Sequence, residues 1–423
     1  MDSKMYKYLL LFLVPLLFFS CKSTEEFTGF SYDPEGVTNT VDKTIYPQSR
    51  RIIGVDSPKV WVSNEFEGAR INDFYMINDS TFEVLIAPEN APINNSPWYA
   101  FSMWSDAARM ADIQFRYNDA RHRYIPKISQ KDSTGEWIYK EEGVVEMDST
   151  SRMATLSVQL TKDPILISSH PLFTTSGFKA SLEERNIIGR EFVRTTQAGT
   201  SKLGRPIWEL EISDVPDNET APVLVILSRQ HPPEVSGYLA SLFFLEEITS
   251  NSELAKKFRN TFVVKAFPMI NPDGVDEGHW RHNAGGIDLN RDWEKFNQPE
   301  TKVVRDALLP LKEDTTRQVF YGIDFHSTNE NIFYPIDEEV ETTPDNFTQK
   351  WAEQIIEDNP QTEFAIEEFD TSSPISKNWL YKTFGADAIT YEVEDEADEA
   401  ILEEVSRSAA RSLMRLLLDE WNQ

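Results

Sequence analysis

Two kinds of domain follow one another along this chain, an antiparallel β-sandwich and then an α/β domain. Three observations predict this. The chain has 423 residues, too many for one ordinary core. Its first half carries short β-type runs broken by Asn, Asp, Pro and Gly at close spacing. Its second half alternates continuous apolar runs with helical stretches.

The elements follow in order. Lys4 and Lys7 precede an unbroken apolar stretch over residues 9–19, too short to span a bilayer but fit for a signal-peptide core. It ends at Cys21, the single cysteine, in a run resembling a bacterial lipoprotein cleavage box. The expectation is a signal peptide over residues 1–20 and a lipid on Cys21. That places the protein in a bacterial cell envelope, at the outer membrane, facing the periplasm or the surface. One cysteine also excludes an intramolecular disulfide. Residues 21–45 are polar with little periodicity and read as a tether. Residues 46–165 read as the sandwich, with strands expected at 60–62, 74–77, 82–86, 98–104, 113–117 and 153–160.

The α/β domain is expected over residues 172–423. Residues 223–227 (VLVIL) suit a strand buried on both faces. Strands are also expected at 262–267, 319–325 and 389–393, and helices at 235–247, 301–311, 351–356 and 398–421. The net charge of −29 argues against nucleic acid, since phosphate neutralisation needs an excess of Lys and Arg. Nothing in the sequence implies an oligomer.

The chemistry lies in the second half. Six histidines occur, of which His122 and His170 fall in the sandwich or the linker and read as structural. His231 and His326 are each expected just past an apolar strand, where ligand sites of open α/β sheets gather. Glu234 follows His231 at i+3, a spacing that lets both reach one metal from a strand-to-helix turn. Two imidazoles and a carboxylate form a three-ligand zinc site with one position left for water. Arg281 and Arg291 can hold a carboxylate, and Glu392, in a strand-like run, can act as a general base. Together these point to hydrolysis near a free carboxyl end.

The runs HPPE (231–234), NPDGV (271–275), GIDLNRDW (286–293) and DFHS (324–327) resemble the zinc metallocarboxypeptidases of the carboxypeptidase A/B type. The resemblance is nearest to the cytosolic-carboxypeptidase branch, whose members trim glutamates from tubulin tails and carry a β-sandwich before the catalytic domain. The runs 96–101 and 115–117 look like strands of that sandwich. The resemblance implies an α/β fold with a mixed central sheet flanked by helices. It implies one zinc ion per chain on His231, Glu234 and His326, with Asp288 orienting His231. It also implies Arg281 on the oxyanion, Asn290 and Arg291 on the substrate's terminal carboxylate, and Glu392 as the base. Glu394 shares a strand face with Glu392 and competes for that role. Two departures stand out. Where other members carry a mobile Tyr ahead of the base, this chain has Asp370. The position that sets side-chain preference falls near Lys377, which in the pocket would favour acidic ends.

The implied activity is removal of C-terminal residues from peptides. An amidase or deacylase acting on cell-wall peptides or N-acyl amino acids, and a catalytically idle envelope binding protein, are the alternatives. A lipoprotein of bacterial type is not expected to meet tubulin, so the branch resemblance does not imply that activity.

Overall fold

The computed structural model describes residues 36–422, except 119, 132–134, 136, 149, 151, 218 and 368–370. The expected signal peptide, Cys21 and Asp370 lie outside the described residues. Among the described residues no helix is long and apolar enough to cross a membrane.

The sandwich comprises β1 (Ile52–Asp56), β2 (Lys59–Ser63), β3 (Asp73–Met76), β4 (Thr81–Ile86), β5 (Ala100–Ser105), β6 (Arg109–Tyr117), β7 (Lys127–Lys131), β8 (Trp137–Glu142), β9 (Val145–Met147), β10 (Met153–Leu160) and β11 (Ile165–Ser168). They form a sheet ordered β1-β2-β5-β11-β7-β8 against one ordered β3-β4-β6-β10-β9. Alternation along β10 buries Ala154, Leu156, Val158 and Leu160 and leaves Ser157 and Gln159 exposed, the period-2 pattern of a half-buried strand. One pairing departs from the antiparallel expectation: β4 and β6 run parallel. The chain leaves β4, crosses to β5 in the other sheet and returns as β6, so the second strand arrives in the same direction as the first. The crossing segment, residues 87–99, reaches the α/β domain. The last sandwich strand ends at Ser168, three residues beyond the expected boundary.

The second domain follows as α1 (Phe178–Glu184), β12 (Val193–Thr200), β13 (Pro206–Ile212), β14 (Ala221–Ser228), α2 (Val235–Ile248), α3 (Glu253–Arg259), β15 (Val263–Phe267), α4 (Pro272–Asp276), α5 (Pro299–Leu308), β16 (Arg317–Thr328), β17 (Ile332–Tyr334), α6 (Phe347–Asp358), β18 (Ala365–Ile366), α7 (Ser376–Phe384), β19 (Asp387–Glu394) and α8 (Glu399–Trp421). Its mixed sheet has the order β12-β13-β15-β14-β16-β19-β17-β18. β14 lies parallel to both β15 and β16, and β16 lies parallel to β19. All eight residues of β14 are buried. Leu224 and Ile226 join the core beneath α2 and α8, while Val223, Val225 and Leu227 join the core on the opposite face. Every side chain of the strand is thus removed from water, which accounts for a continuous apolar run where an alternating one would expose half of it.

The two domains share one hydrophobic cluster, which runs from Val60 and Phe101 in the sandwich to Phe325 and Leu413 in the α/β domain. The described part of the expected tether is bound as well. Gln298 Nε2 donates to the Thr40 carbonyl at 2.8 Å, Asn297 Nδ2 to Thr40 Oγ1 at 2.9 Å, and Lys43 N to the Gly285 carbonyl at 2.9 Å. Residues 40–43 are therefore a strap, not a free linker. Their lack of periodicity misled because side chains and loops of the α/β domain satisfy them instead of a sheet or helix ladder.

Candidate active site

The chain leaves β14 to form β15 on one side and later returns to form β16 on the other, so a crevice opens at the C-terminal ends of β14 and β16. The β14–α2 turn supplies His231 and supplies Glu234 as the N-cap of α2, where the helix end favours a carboxylate. β16 supplies His326, which lies within the strand rather than past it. β19 supplies Glu392, directly opposite His326 in the parallel register. Gly237 lets α2 approach this closely, since a Cβ there would stand 2.4 Å from the His326 carbonyl oxygen.

His231, Glu234 and His326 offer ligand atoms all within 4.8 Å of one another, and all three residues are buried. Nδ1 of His231 stands 2.7 Å from Glu234 Oε1, and Nδ1 of His326 stands 2.7 Å from Oε2. The far ring nitrogens face two other carboxylates. His231 Nε2 lies 2.9 Å from Asp288 Oδ1, and His326 Nε2 lies 2.8 Å from Asp324 Oδ2. With each Nε2–H donating outward, both Nδ1 lone pairs face the Glu234 carboxylate, an arrangement that a shared cation stabilises. The field agrees. Burial works to lower the His326 pKa, but Asp324 and Glu234 outweigh it and hold the ring well above its ordinary value. Two imidazole nitrogens and a carboxylate suit zinc.

Asp288 also accepts from Arg281 Nε at 2.6 Å, while Arg281 NH1 stands 3.8 Å from Glu234. Burial disfavours the Asp288 charge, but Arg281 and His231 outweigh it and keep the carboxyl well below its usual range. Asp324 is the corresponding partner of His326, fixed in turn by Gln230 Nε2 at 2.6 Å and by the Ser376 hydroxyl. Sequence reasoning assigned it no role. The available signal was its place two residues before His326, on the same strand face.

A cavity of about 390 Å³ opens onto these groups. Arg281, Asn290, Arg291 and Glu392 all line it, together with Ser327, Thr328, Tyr334, Ile375 and Thr390. Asn290 Oδ1 accepts from the Ser376 backbone N–H at 2.9 Å, and Arg291 NH1 donates to the Asn290 carbonyl at 2.9 Å. Glu392 is half-buried, and its Oε2 is enclosed with no hydrogen-bond partner among the described residues. Burial first, then the neighbouring Glu234, pushes its carboxyl up to about 8 despite His326 and Arg281. A carboxyl so shifted and set in a cleft is suited to proton transfer near neutral pH. Glu394 is exposed and does not line the cavity.

One expectation changes here. Lys377 is fully buried in α7, its Nζ donating to the Tyr334 carbonyl at 3.1 Å and to the Pro335 carbonyl, and it does not line the cavity. Helix packing turns it toward those carbonyls, so the hint of acidic preference it carried falls away. Conversely, the sandwich lends Asn94, Asn95, Ser96 and Arg123 to the cavity wall. Arg123 pairs with Asp395 just beyond β19, Nε to Oδ2 at 2.8 Å. His122 and His170 pack against aromatic rings of the sandwich, away from the cavity.

This centre is that of a zinc hydrolase, and the comparisons with known proteins agree. The zinc carboxypeptidase family profile matches residues 180–408. The match covers more than half of the chain, which therefore belongs to the zinc carboxypeptidase family. Human cytosolic carboxypeptidase 2 is 36% identical over 157 residues, 35% of this chain and 17% of that protein. Mouse cytosolic carboxypeptidase 4 is 26% identical over 346 residues, 70% of this chain and 30% of that protein. The chain thus matches under a third of the length of either relative. Among solved structures, a metallo-carboxypeptidase from Pseudomonas aeruginosa in complex with (2-guanidinoethylmercapto)succinic acid shares the fold at TM-score 0.67 and 19% identity. That likeness covers 85% of this chain and 99% of the other. A metallo-carboxypeptidase from Burkholderia cenocepacia gives TM-score 0.66 at 17% identity, over 86% and 99% of the two chains.

Proposed function

We propose that this protein removes single residues from the C-terminal ends of peptides. One observation carries the reading. A single cavity holds the His231–Glu234–His326 group, the enclosed Glu392 carboxyl and two arginines, Arg281 and Arg291. His231, Glu234 and His326 would hold the zinc, which when bound would supply Lewis acidity and lower the pKa of water toward neutral.

The chain's own residues do the rest. Glu392 takes the proton of the attacking water and returns it to the leaving amine. Arg281, braced by Asp288, donates to the carbonyl oxygen as negative charge develops there. Asn290 and Arg291 hold the terminal carboxylate, and this fixes which peptide bond lies over the metal site. The test compares a peptide with its C-terminally amidated form. Amidation is expected to lower kcat/KM by about 100-fold or more, since it removes the charge those groups bind. Equal cleavage of the two would favour an amidase that does not read the chain end.

Lipid anchoring is proposed on the sequence alone, from Lys4, Lys7, the apolar run and Cys21. Metabolic labelling with a fatty-acid analogue is expected to mark the protein and to be abolished by Cys21→Ser.

A further inference from the structure

The loop that carries Arg281 is shaped by the other domain. Three consecutive backbone N–H groups, those of Trp280, Arg281 and His282, all donate to the side chain of Glu89, at 2.8, 3.1 and 2.7 Å. Glu89 lies in the crossing segment between β4 and β5 of the sandwich and is completely buried. A buried carboxylate is costly unless its hydrogen-bonding capacity is filled, and here backbone donors fill it. Burial works to raise its pKa, but His279, His282 and Arg70 outweigh this and lower it to about 2. The residue is therefore ionised at neutral pH.

Neighbouring contacts reinforce the same loop. Asn90 Nδ2 donates to the Gly286 carbonyl at 3.0 Å, and Asn90 Oδ1 faces His282 Nδ1 at 2.7 Å. Buried Arg70 donates to the Gly278 carbonyl at 2.6 Å. Gly278 has φ +62°, and a Cβ there would stand 2.5 Å from the Ala69 carbonyl oxygen. The backbone from 278 to 286 is thus pressed onto the sandwich at both ends, with Glu89 at its centre. From that backbone Arg281 projects to Asp288 and the cavity.

We propose that Glu89 is a positioning residue for the reaction: it sets the backbone of Trp280–His282 and so aims Arg281 at the developing oxyanion. The sandwich is by this means a part of the catalytic apparatus, and the α/β domain alone lacks a correctly aimed Arg281. The inference rests on the role given to Arg281 above. Asn290 is also held through the Ser376 N–H of α7, which Glu89 does not touch, so Glu89 governs kcat more than KM.

The test is a double-mutant cycle on the full-length, zinc-loaded protein, with Glu89→Gln and Arg281→Ala. Gln keeps one acceptor but turns an NH2 toward the backbone donors. Glu89→Gln alone is expected to lower kcat by about 10- to 100-fold, the cost of misplacing a catalytic group by about an ångström. KM should move less than about threefold and bound zinc should stay at one per chain. Combined with Arg281→Ala, Glu89→Gln should add no further loss beyond about twofold, because it acts through a side chain already gone. Hydrogen exchange of the amides of residues 280–282 should be fast in Glu89→Gln and slow in the native protein. Losses that multiply in the double variant, or native kcat in Glu89→Gln, would overturn the proposal while leaving the carboxypeptidase reading intact. Native turnover in Arg281→Ala would instead sink the role of Arg281 and this inference with it. If Glu89→Gln does not fold, Glu89→Asp, which keeps the charge but retracts it, is put through the same cycle with the same criteria.

Discussion

In the α/β domain the reactive side chains stand at or just beyond the C-terminal ends of strands buried on both faces: His231 after β14, His326 on β16, Glu392 on β19. Among the described residues of the sandwich, none that reaches the cavity lies on a strand. Asn94, Asn95 and Ser96 sit in the β4–β5 crossing and Arg123 in the β6–β7 connection. The parallel strands fix the spacing of the metal ligands through a rigid register. The sandwich acts through loops, and what it supplies is support: Glu89 under the Arg281 loop and Arg123 against Asp395. Chemistry thus comes from one domain and part of its alignment from the other.

Substitutions on each side should cost different things. The largest effect belongs to the α/β side. Glu392→Gln is expected to lower kcat by about 100- to 10,000-fold, the range for a general base, with zinc still bound. Steady-state kinetics with metal analysis checks it, and loss of zinc with activity would blur the contrast. Gly237→Ala is next. Its Cβ would strike the His326 backbone, so the ligand set should spread and zinc affinity should fall by about 10- to 100-fold, read by chelator competition.

At Arg123, on the sandwich side, the expected cost is stability. Asp395 is buried beside Arg123, so Arg123→Met should destabilise by about 3 kcal/mol by leaving that carboxylate unpaired. Removing both partners in Arg123→Met/Asp395→Asn should recover part of it in denaturant titrations. Glu89 adds a pH signature. Its pKa is about 2 in the native protein against 4.5 as its ordinary value. Its contribution, about 3 kcal/mol at most, is complete above pH 4.5 and is lost as the pH falls from 4.5 through 2. Asp387, at the start of β19, runs the other way. Burial, against bonds from Thr348 and Ala388, raises it from 3.8 to about 6, so its contribution declines as the pH rises between those values. Glu89→Gln should flatten the acid limb of the stability profile, and Asp387→Asn the limb between pH 4 and 6. The smallest effect is at Glu394, exposed and outside the cavity, where Gln should change kcat by less than about twofold.

What the sequence made legible follows the same division. The His231–Glu234 pair, Asp288, His326 and Glu392 stand in short local runs whose residue types are dictated by metal and proton chemistry. Strands β14, β16 and β19 were visible as apolar runs because both their faces are buried. β12, half exposed along its length with the polar run VRTTQAGT, gave no such pattern. Glu89 lies between Pro88 and Asn90, in company that marks any solvated turn. Only the fold reveals that three N–H groups nearly two hundred residues away converge on it. The parallel β4–β6 pair, the bound strap at residues 40–43 and the burial of Lys377 were hidden for the same reason. Alternation and composition report burial, not strand direction or distant partners.

Cleavage of the last peptide bond of a chain in this cavity, with Glu392 as base, can be read directly from products. The most direct measurement is mass spectrometry of a mixed peptide library incubated with the zinc-loaded protein and, in parallel, with Glu392→Gln. The native protein should give products shorter by single C-terminal residues, and the variant should leave the library unchanged. An unchanged library from native protein carrying one zinc per chain, or equal trimming by Glu392→Gln, would contradict this assignment.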